Sequence, residues 1–256
     1  MNEQLREHII KSLSAGIRFD GRKPLEYRNV SVEYGVSKNA EGSSRVKIGE
    51  TEVIAGVKLS MDKPYSDTPD DGVMSVNAEL LPLSSPEFES GPPNEQSIEL
   101  ARVVDRGIRE SKAIDTKKLC VKKGEKVWMI SVDIVTINDS GNLIDAAAIA
   151  ALAALKDTKF PEVKDDAVNY KKLTNERLPM KKDPMAVTVY KIGGHFIVDP
   201  DLDEEKVFDA RLTVTTTPDG IISALQKGGD LPLTMEDVEK MVEIGIEKAK
   251  ELRKML

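Results

Sequence analysis

Short apolar runs separated by glycine-containing turns dominate the first part of the chain. Before them, Leu5, Ile9 and Leu13 recur at helical spacing and Gly16 follows at a position typical of a helix end. This pattern predicts a short amphipathic helix over residues 2–15. The later runs are rich in valine and isoleucine, as expected for an antiparallel meander. The predicted strands cover residues 27–34, 43–48, 51–60 and 73–81.

Two helices and one long strand follow. Asn94, a preferred N-cap residue, precedes a predicted helix over residues 95–112. Residues 127–137 alternate in polarity and predict a strand with one well-buried face. The alanine-rich run over 143–155 predicts a helix whose small side chains allow close packing against a sheet. The predicted buried face of the first helix consists of Ile98, Ala101, Val104 and Ile108.

Residues 161–184 separate two parts of the chain. They contain three prolines, mixed charge and no sustained apolar period, so we interpret them as a linker. The apolar pattern then predicts a last helix over residues 234–254, with a capping box formed by Thr234 and Asp237. The further predicted strands cover residues 186–192, 195–198, 210–216 and 221–227.

This order of elements predicts two domains. The N-terminal domain covers residues 1–160 and the C-terminal domain covers residues 185–256. Because strands are followed by helices in both, the predicted fold class is α+β, with two halves that each consist of a small mixed sheet and helices packed on it.

Composition narrows the class of protein. The 256 residues carry 37 Lys and Arg against 44 Asp and Glu, a net charge of −7. An acidic chain is not a general binder of phosphate backbones, so any nucleic-acid contact must be local or shared with a partner. The single cysteine, Cys120, lies far in sequence from the only histidines, His8 and His195, and we expect no metal site of the zinc type.

Several classes of protein are excluded by missing signals. The sequence has no Walker phosphate loop and no HExxH, GxSxG or GxGxxG motif, which argues against ATP-binding, zinc-protease and hydrolase functions. The N-terminus lacks the features of a signal peptide, and no apolar run is long enough to cross a bilayer. We therefore expect a cytoplasmic protein without a membrane span.

The densest charge cluster is acidic. Residues 199–209 (DPDLDEEKVFD) hold six acids and one lysine, which raises the hypothesis of a divalent-metal site. An EF-hand register that starts at Asp199 fails, because Glu204 falls where glycine is needed and Ala210 where a bidentate glutamate is needed. The alternative, which we favour, is a solvated acidic turn before a strand, since charge runs usually lie on the surface.

Three arginines, Arg102, Arg106 and Arg109, lie at offsets of four and seven and therefore share one helical face. A stripe of this kind is what a shared phosphate-binding surface requires. The same helix carries acids at offsets that form salt bridges, so the residues alone slightly favour a mutually neutralised surface. The acids are Glu99, Asp105 and Glu110.

Arg18 to Val57 (RFDGRKPLEYRNVSVEYGVSKNAEGSSRVKIGETEVIAGV) resembles the opening of the RNase PH family of phosphorolytic 3′ to 5′ exoribonucleases. The resemblance continues through PPNEQSIELARVVDRGIRES, VWMISVDIVTINDSGNLIDAAAIAAL and VDPDLDEEKVFDARLTV, and covers nearly the whole chain. It implies two RNase PH-type halves and a six-membered ring with a central channel for RNA. Within the family, the region around the arginine stripe is most similar to the non-catalytic subunit of the archaeal exosome core.

The chain departs from active members of the family at the phosphate-binding loop. Those members hold the attacking phosphate with a Gly, hydroxyl, Arg, hydroxyl sequence at a helix start. This chain has Gly141, Asn142, Leu143 and Ile144 there. We also expect the carboxylate of Asp145 to use the positive helix end itself and to repel phosphate.

A second departure concerns the acidic residues. Active members place two acids six residues apart, where they bind a metal or protonate the leaving 3′ oxygen. The resemblance puts Glu205 at the first of these positions and Arg211 at the second, so a cation stands where a carboxylate is required. We therefore predict no catalytic residue in this chain and no cofactor of its own. Inorganic phosphate, and Mg²⁺ where it is used, would bind at the partner subunit.

The resemblance also implies partners. It predicts a ring of three heterodimers with a catalytic RNase PH-like subunit, RNA-binding cap subunits, and single-stranded RNA held by Arg102, Arg106 and Arg109. The expected function is that of a structural subunit required for phosphate-dependent 3′ to 5′ degradation of RNA and for the reverse tailing reaction. Two alternatives stay open: a self-sufficient homohexameric RNase PH-type enzyme, and an acidic metal-binding or interaction module at residues 199–209.

Overall fold

A computed structural model describes residues 3–164 and 167–256 of the chain. The first half forms a six-stranded sheet in which the strands follow the order β1-β2-β3-β6-β4, and β5 pairs with β6. Strands β1 to β3 are the predicted antiparallel meander, whereas β4 runs parallel to β6, so the sheet is mixed. The strands are β1 Val30–Tyr34, β2 Gly42–Ile48, β3 Thr51–Asp62, β4 Val73–Glu79, β5 Cys120–Lys122 and β6 Lys126–Asn138.

Strand β1 begins at Val30, three residues later than the sequence pattern predicts. The backbone N–H of Arg28 donates to the Asp199 carboxylate at 2.7 Å, and the Tyr27 hydroxyl donates to Asp145. These residues are held by contacts with the acidic segment 199–209 and with the helix after β6, so they do not join the ladder. Tertiary contacts therefore decide where this strand starts.

The second half forms a four-stranded sheet in the order β10-β9-β11-β12, in which every pairing is antiparallel. The predicted mixed sheet therefore occurs in the first half and not in this one. Between the sheets in sequence, a hairpin occupies much of the predicted linker 161–184. The strands are β7 Lys159–Lys164, β8 Ala167–Arg177, β9 Met185–Ile192, β10 His195–Val198, β11 Ala210–Thr216 and β12 Ile222–Gly228.

The predicted helices form close to the predicted positions. Asn94 caps the helix that follows it by accepting from the Ser97 N–H, and Thr234 and Asp237 form the predicted capping box. A four-residue helix inside the acidic segment was not predicted. The helices are α1 Glu3–Ser14, α2 Glu95–Glu110, α3 Leu143–Asp157, α4 Leu202–Glu205 and α5 Met235–Leu252.

Helices α2 and α3 lie between the two sheets, and α5 covers the far face of the second sheet. Gly107 of α2 packs against Thr215 of β11, and Gly245 of α5 packs against the neighbouring Val214. Because consecutive strand residues point to opposite faces, α2 and α5 lie on opposite faces of the second sheet. Helix α3 lies over the central strands, and twelve of its fifteen residues are buried.

Helix α2 lies at the edge of this middle layer, over β4 and β12. One side is therefore buried while the other faces solvent, as its amphipathic sequence requires. The buried stripe includes Leu100, Val103 and Ile108, but the predicted core residue Ile98 is 47% exposed. Its side chain lies one turn before Arg102, on the solvent side of the helix.

One hydrophobic cluster runs through both sheets, from Val53 on β3 through Leu152 on α3 and Val187 on β9 to Met241 on α5. The two halves therefore share a core. A second, smaller cluster joins α1 to the second sheet through Ile9 and its neighbours. None of the helices in the described part of the chain has the length and apolar character needed to span a membrane. The fold class is α+β, as the sequence predicts.

Candidate functional site

The loop before α3, residues 139–142, is clamped in one conformation. Gly141 has a φ of 87°, and a Cβ at this position would lie 2.5 Å from the Pro200 carbonyl oxygen, so only glycine fits. Arg28 donates to the carbonyl oxygens of Ser140 at 2.6 Å and Gly141 at 3.1 Å. The Thr51 hydroxyl also donates to the Gly141 carbonyl, at 2.6 Å. The loop is thereby fixed against the acidic segment.

The positive end of α3 faces a carboxylate of the chain itself. The backbone N–H of Asn142 donates to Glu205 Oε1 at 2.9 Å, and the Tyr190 hydroxyl donates to the same oxygen at 3.0 Å. A helix N-terminus attracts anions, and here the anion is a side chain. Because burial is only partly offset by these donors, the pKa of Glu205 is raised to about 7.

Asp145 does not play the role that its sequence position suggests. Its carboxylate accepts from the Tyr27 hydroxyl at 2.7 Å and from the Thr188 N–H at 2.9 Å, and it is fully buried between the N-terminal segment and β9. Burial raises its pKa to about 7. The expectation that Asp145 would use the helix end is therefore wrong, because Glu205 makes that contact.

The two sequence departures meet in one cleft. Leu143 and Ile144 from the start of α3, Glu205 from α4 and Arg211 from β11 line a space of about 410 Å³. The Arg211 guanidinium lies 5.6 Å from the Phe208 ring centre and donates to Glu99 Oε2 of α2 at 2.7 Å. At the start of α3 the cleft thus presents apolar side chains and the Glu205 carboxylate, while its cationic group, Arg211, is already paired with a carboxylate.

The three arginines of α2 differ in whether their guanidinium groups are paired. Arg109 donates to both oxygens of Asp105, at 3.0 and 2.6 Å, and to the Met74 carbonyl oxygen at 2.9 Å. Arg102 and Arg106 are exposed, and neither has a hydrogen bond or ion pair within the described residues. Of the three arginines of α2, Arg102 and Arg106 therefore present unpaired guanidinium groups to solvent.

The acidic segment 199–209 is not a solvated turn. Asp199 is fully buried and accepts from Arg28 Nη2 at 2.6 Å, from Arg22 Nη1 at 2.8 Å and from the Asn142 amide at 3.0 Å. Burial alone would raise its pKa, but the hydrogen bonds and charges of Arg28 and Arg22 hold the pKa of Asp199 below its usual value. The interpretation of this segment as a surface charge run is wrong.

Most other acids of the segment are engaged in the same way. Glu204 forms a buried pair with Arg18, whose Nε donates at 2.8 Å, although burial still raises the pKa of Glu204. Asp201 caps α4, and Asp209 pairs with Arg6 at 2.8 Å. Among the described residues, no group of three or more His, Cys, Asp or Glu side chains is arranged to hold a metal ion. These engagements argue against the metal-binding alternative.

Sequence reasoning missed the residues that hold this region together. Arg18 and Arg22 are the first and last residues of the RFDGR motif. Both donate hydrogen bonds to carboxylates of the acidic segment, about 180 residues later in the chain. A signal existed, because arginines accumulate near the N-terminus while acids accumulate at residues 199–209. The hydrogen bonds of Tyr190 and Glu99 had no such signal, since nothing in the sequence indicates their neighbours.

Two family domains match the chain. The first domain of the 3′ exoribonuclease family, RNase PH, matches residues 26–161, and the second domain of the same family matches residues 184–248. Together they cover more than half of the sequence. Both lie within the two halves described above.

Relatives are similar to this chain over nearly its full length. The exosome complex component Rrp42 of Methanocella arvoryzae is 49% identical over 251 residues, which are 98% of this chain and 95% of that protein. The component of the same name from Thermoplasma acidophilum is 44% identical over 253 residues, 99% of this chain and 95% of that protein.

Solved structures agree with this similarity. A chain of the Archaeoglobus fulgidus exosome with RNA bound to the active site superposes with a TM-score of 0.92 at 45% identity, covering 98% of this chain and 97% of that one. A chain of an archaeal exosome core gives a TM-score of 0.87 at 42% identity, covering 98% of this chain and 95% of that one.

Proposed function

Because the chain belongs to the RNase PH family of 3′ exoribonucleases, we propose that it is a non-catalytic, RNA-contacting structural subunit of an archaeal exosome ring. Its partner in the ring is a catalytic RNase PH-like subunit, with which it forms a trimer of heterodimers. The ring degrades single-stranded RNA from the 3′ end with inorganic phosphate and tails RNA in the reverse direction. It receives RNA through cap subunits, and it works in the cytoplasm.

The observation that carries this proposal is the contact between Glu205 and the start of α3. A phosphate at the Asn142 N–H would face the Glu205 carboxylate and the apolar side chains of Leu143 and Ile144. Phosphorolysis depends on positioning the anion and on stabilising charge, and here the Asn142 N–H and the Arg211 guanidinium are both engaged by carboxylates of the chain itself. The phosphate, the acid and any Mg²⁺ are therefore supplied by the partner.

The contribution of this chain to RNA binding comes from α2. Arg102 and Arg106 are four residues apart on the solvent face of a helix that two sheets hold in place. Unpaired guanidinium groups on a rigid helix can each form two charge-assisted hydrogen bonds to a phosphate. Two such groups give a local grip on RNA that is compatible with an acidic chain.

The test compares the isolated chain with the assembled complex. We expect phosphate-dependent degradation of a single-stranded RNA by the complex with the catalytic partner and none by this chain alone, measured by release of nucleoside diphosphates. Robust turnover by the chain alone would instead favour the self-sufficient homohexameric enzyme.

A second measurement isolates the RNA contact. Arg102→Gln with Arg106→Gln should lower the slope of log affinity against log salt by about 0.7 for each RNA phosphate that is no longer neutralised, without preventing assembly. Lys240→Gln on α5, which covers the far face of the second sheet, is the matched control. An unchanged slope in the double variant would contradict the RNA-binding role of these arginines.

A further inference from the structure

We propose that Arg211 and Arg109 are positioning residues that hold the acids of α2 away from Arg102. The proposal rests on the proposed function, because it explains how the RNA-binding arginines are kept free. Neither positioning residue needs to touch RNA for this effect. Each instead occupies a carboxylate that would otherwise compete with phosphate.

The competition follows from helical spacing. Glu99 lies three residues before Arg102 and Asp105 lies three residues after it, so both carboxylates are within reach of its guanidinium on the helix surface. An intrahelical ion pair would occupy donors of Arg102 and neutralise its charge. Arg102 would then lose attraction for an RNA phosphate.

Arg211 removes the first competitor. Its Nη2 donates to Glu99 Oε2 at 2.7 Å across the gap between β11 and α2, and the Arg211 side chain is only 16% exposed. The Phe208 ring lies against the guanidinium, which limits its freedom to leave Glu99. Active relatives are expected to need an acid at position 211. This chain has an arginine there, and the arginine pairs with Glu99 of α2.

Arg109 removes the second competitor. It chelates Asp105 with two hydrogen bonds, and an acid four residues before a base is the favourable order in a helix. A third acid within one turn of these arginines, Glu110, lies four residues after Arg106, which is the unfavourable order, and it forms no ion pair within the described residues. The free state of Arg102 and Arg106 is therefore a consequence of how the acids around them are partnered.

The experiment uses the complex with the catalytic partner and a fluorescent single-stranded RNA at low salt without phosphate. Arg211→Met should weaken RNA binding about three-fold, because Glu99 becomes free to pair with Arg102. Adding Glu99→Gln should restore the affinity of the unmodified complex. Arg45→Met, which removes an exposed arginine of β2 that pairs with Glu33 and Glu52, is the matched control and should leave the affinity unchanged.

The outcomes separate this proposal from the one on which it rests. If Arg102→Gln does not weaken binding, the proposed RNA contact is wrong. If Arg102→Gln weakens binding but Arg211→Met does not, or if Glu99→Gln fails to rescue it, the positioning role is wrong. Arg211→Lys keeps a charge that can pair with Glu99 and should bind RNA like the unmodified complex. If Arg211→Met does not assemble, the uncharged but polar Arg211→Gln takes its place, with the same expected loss of affinity and the same rescue by Glu99→Gln.

Discussion

The acidic segment 199–209 and the arginines of α2 are both dense charge clusters in sequence, and the structure uses them in opposite ways. The acids look like a surface turn or a metal site, yet Asp199 and Glu204 are buried and bound by arginines from the N-terminal segment. The arginines look like a salt-bridged surface, yet Arg102 and Arg106 are unpaired within the described residues.

The difference teaches that the partners of a charge decide its role. A buried carboxylate loses its hydration and needs hydrogen-bond donors inside the protein. Four arginines of the N-terminal segment therefore pair with the acidic segment, and these pairs hold the N-terminal segment in place. An exposed guanidinium keeps its hydration and can remain unpaired until phosphate arrives. Three predictions test this contrast, in order of decreasing expected effect.

The largest effect should come from breaking the buried pair of the acidic segment. Arg18→Met removes the guanidinium that donates to the Glu204 carboxylate and to the carbonyl oxygens of Val198 and Asp199. Removing one partner of a buried ion pair costs about 3–5 kcal/mol of unfolding free energy. Urea denaturation followed by circular dichroism measures the change.

Two further variants sharpen this prediction. Arg45→Met removes a partly exposed arginine that pairs with Glu33 and Glu52, and should change the free energy of unfolding by about 0–1 kcal/mol. The double variant Arg18→Met with Glu204→Gln removes the uncompensated charge and should recover part of the loss. Equal destabilisation by Arg18→Met and Arg45→Met would contradict the contrast between buried and exposed charges.

A smaller effect is expected on the pH dependence of stability. The pKa of Asp145, which has no arginine partner, is raised to about 7, whereas two arginines keep the pKa of Asp199 low. A carboxyl group whose folded pKa is raised contributes stability that is complete below its unfolded pKa, about 4, and is lost as pH rises through about 7. The contribution of Asp199 has the opposite sign and is lost as pH falls below about 4.

Asp145→Asn should therefore flatten the decline of stability between pH 4 and pH 7. The slope attributable to Asp145 is at most about 1.4 kcal/mol for each pH unit. Denaturation midpoints across this range measure it, with the exposed Asp230→Asn as control. A decline that persists unchanged in Asp145→Asn would show that Asp145 does not titrate there.

The smallest effect concerns Arg109, which the sequence places with Arg102 and Arg106 as an RNA-binding residue. Because Arg109 is already paired with Asp105, Arg109→Gln should weaken RNA binding by the complex only about two-fold, and Asp105→Asn should restore it. If Arg109 contacts a phosphate directly, Asp105→Asn will not rescue binding and the salt slope will fall by about 0.7.

Much of the fold could be predicted because hydrophobic periodicity and capping are local. The limits of α2 and the cap at Asn94 follow from a few neighbouring residues, and so does the capping box of α5. The hairpin β7–β8 was missed because β8 is largely exposed and the hairpin carries little apolar alternation. The exposure of Ile98 was missed because the spacing of apolar residues does not fix which way the helix is rotated against the sheets.

The candidate site divides in the same way. The residue types at positions 143, 144 and 211 could be compared with the family pattern from sequence, because a residue's chemical type is fixed by the chain. That Glu205 rather than Asp145 accepts the Asn142 N–H at the start of α3 could not, since it depends on where α4 places Glu205 relative to the loop before α3.

The sequence by itself determined most of the helices and strands, the α+β class and the residue types at the positions that the family resemblance singles out. Only the tertiary structure decided which charges are paired and which are free. Helical spacing offers Arg102 two acids at equal offsets, but β11 brings Arg211 to one of them. Contacts between residues more than 100 positions apart depend on how the two sheets enclose α2, and no local pattern in the sequence records that arrangement.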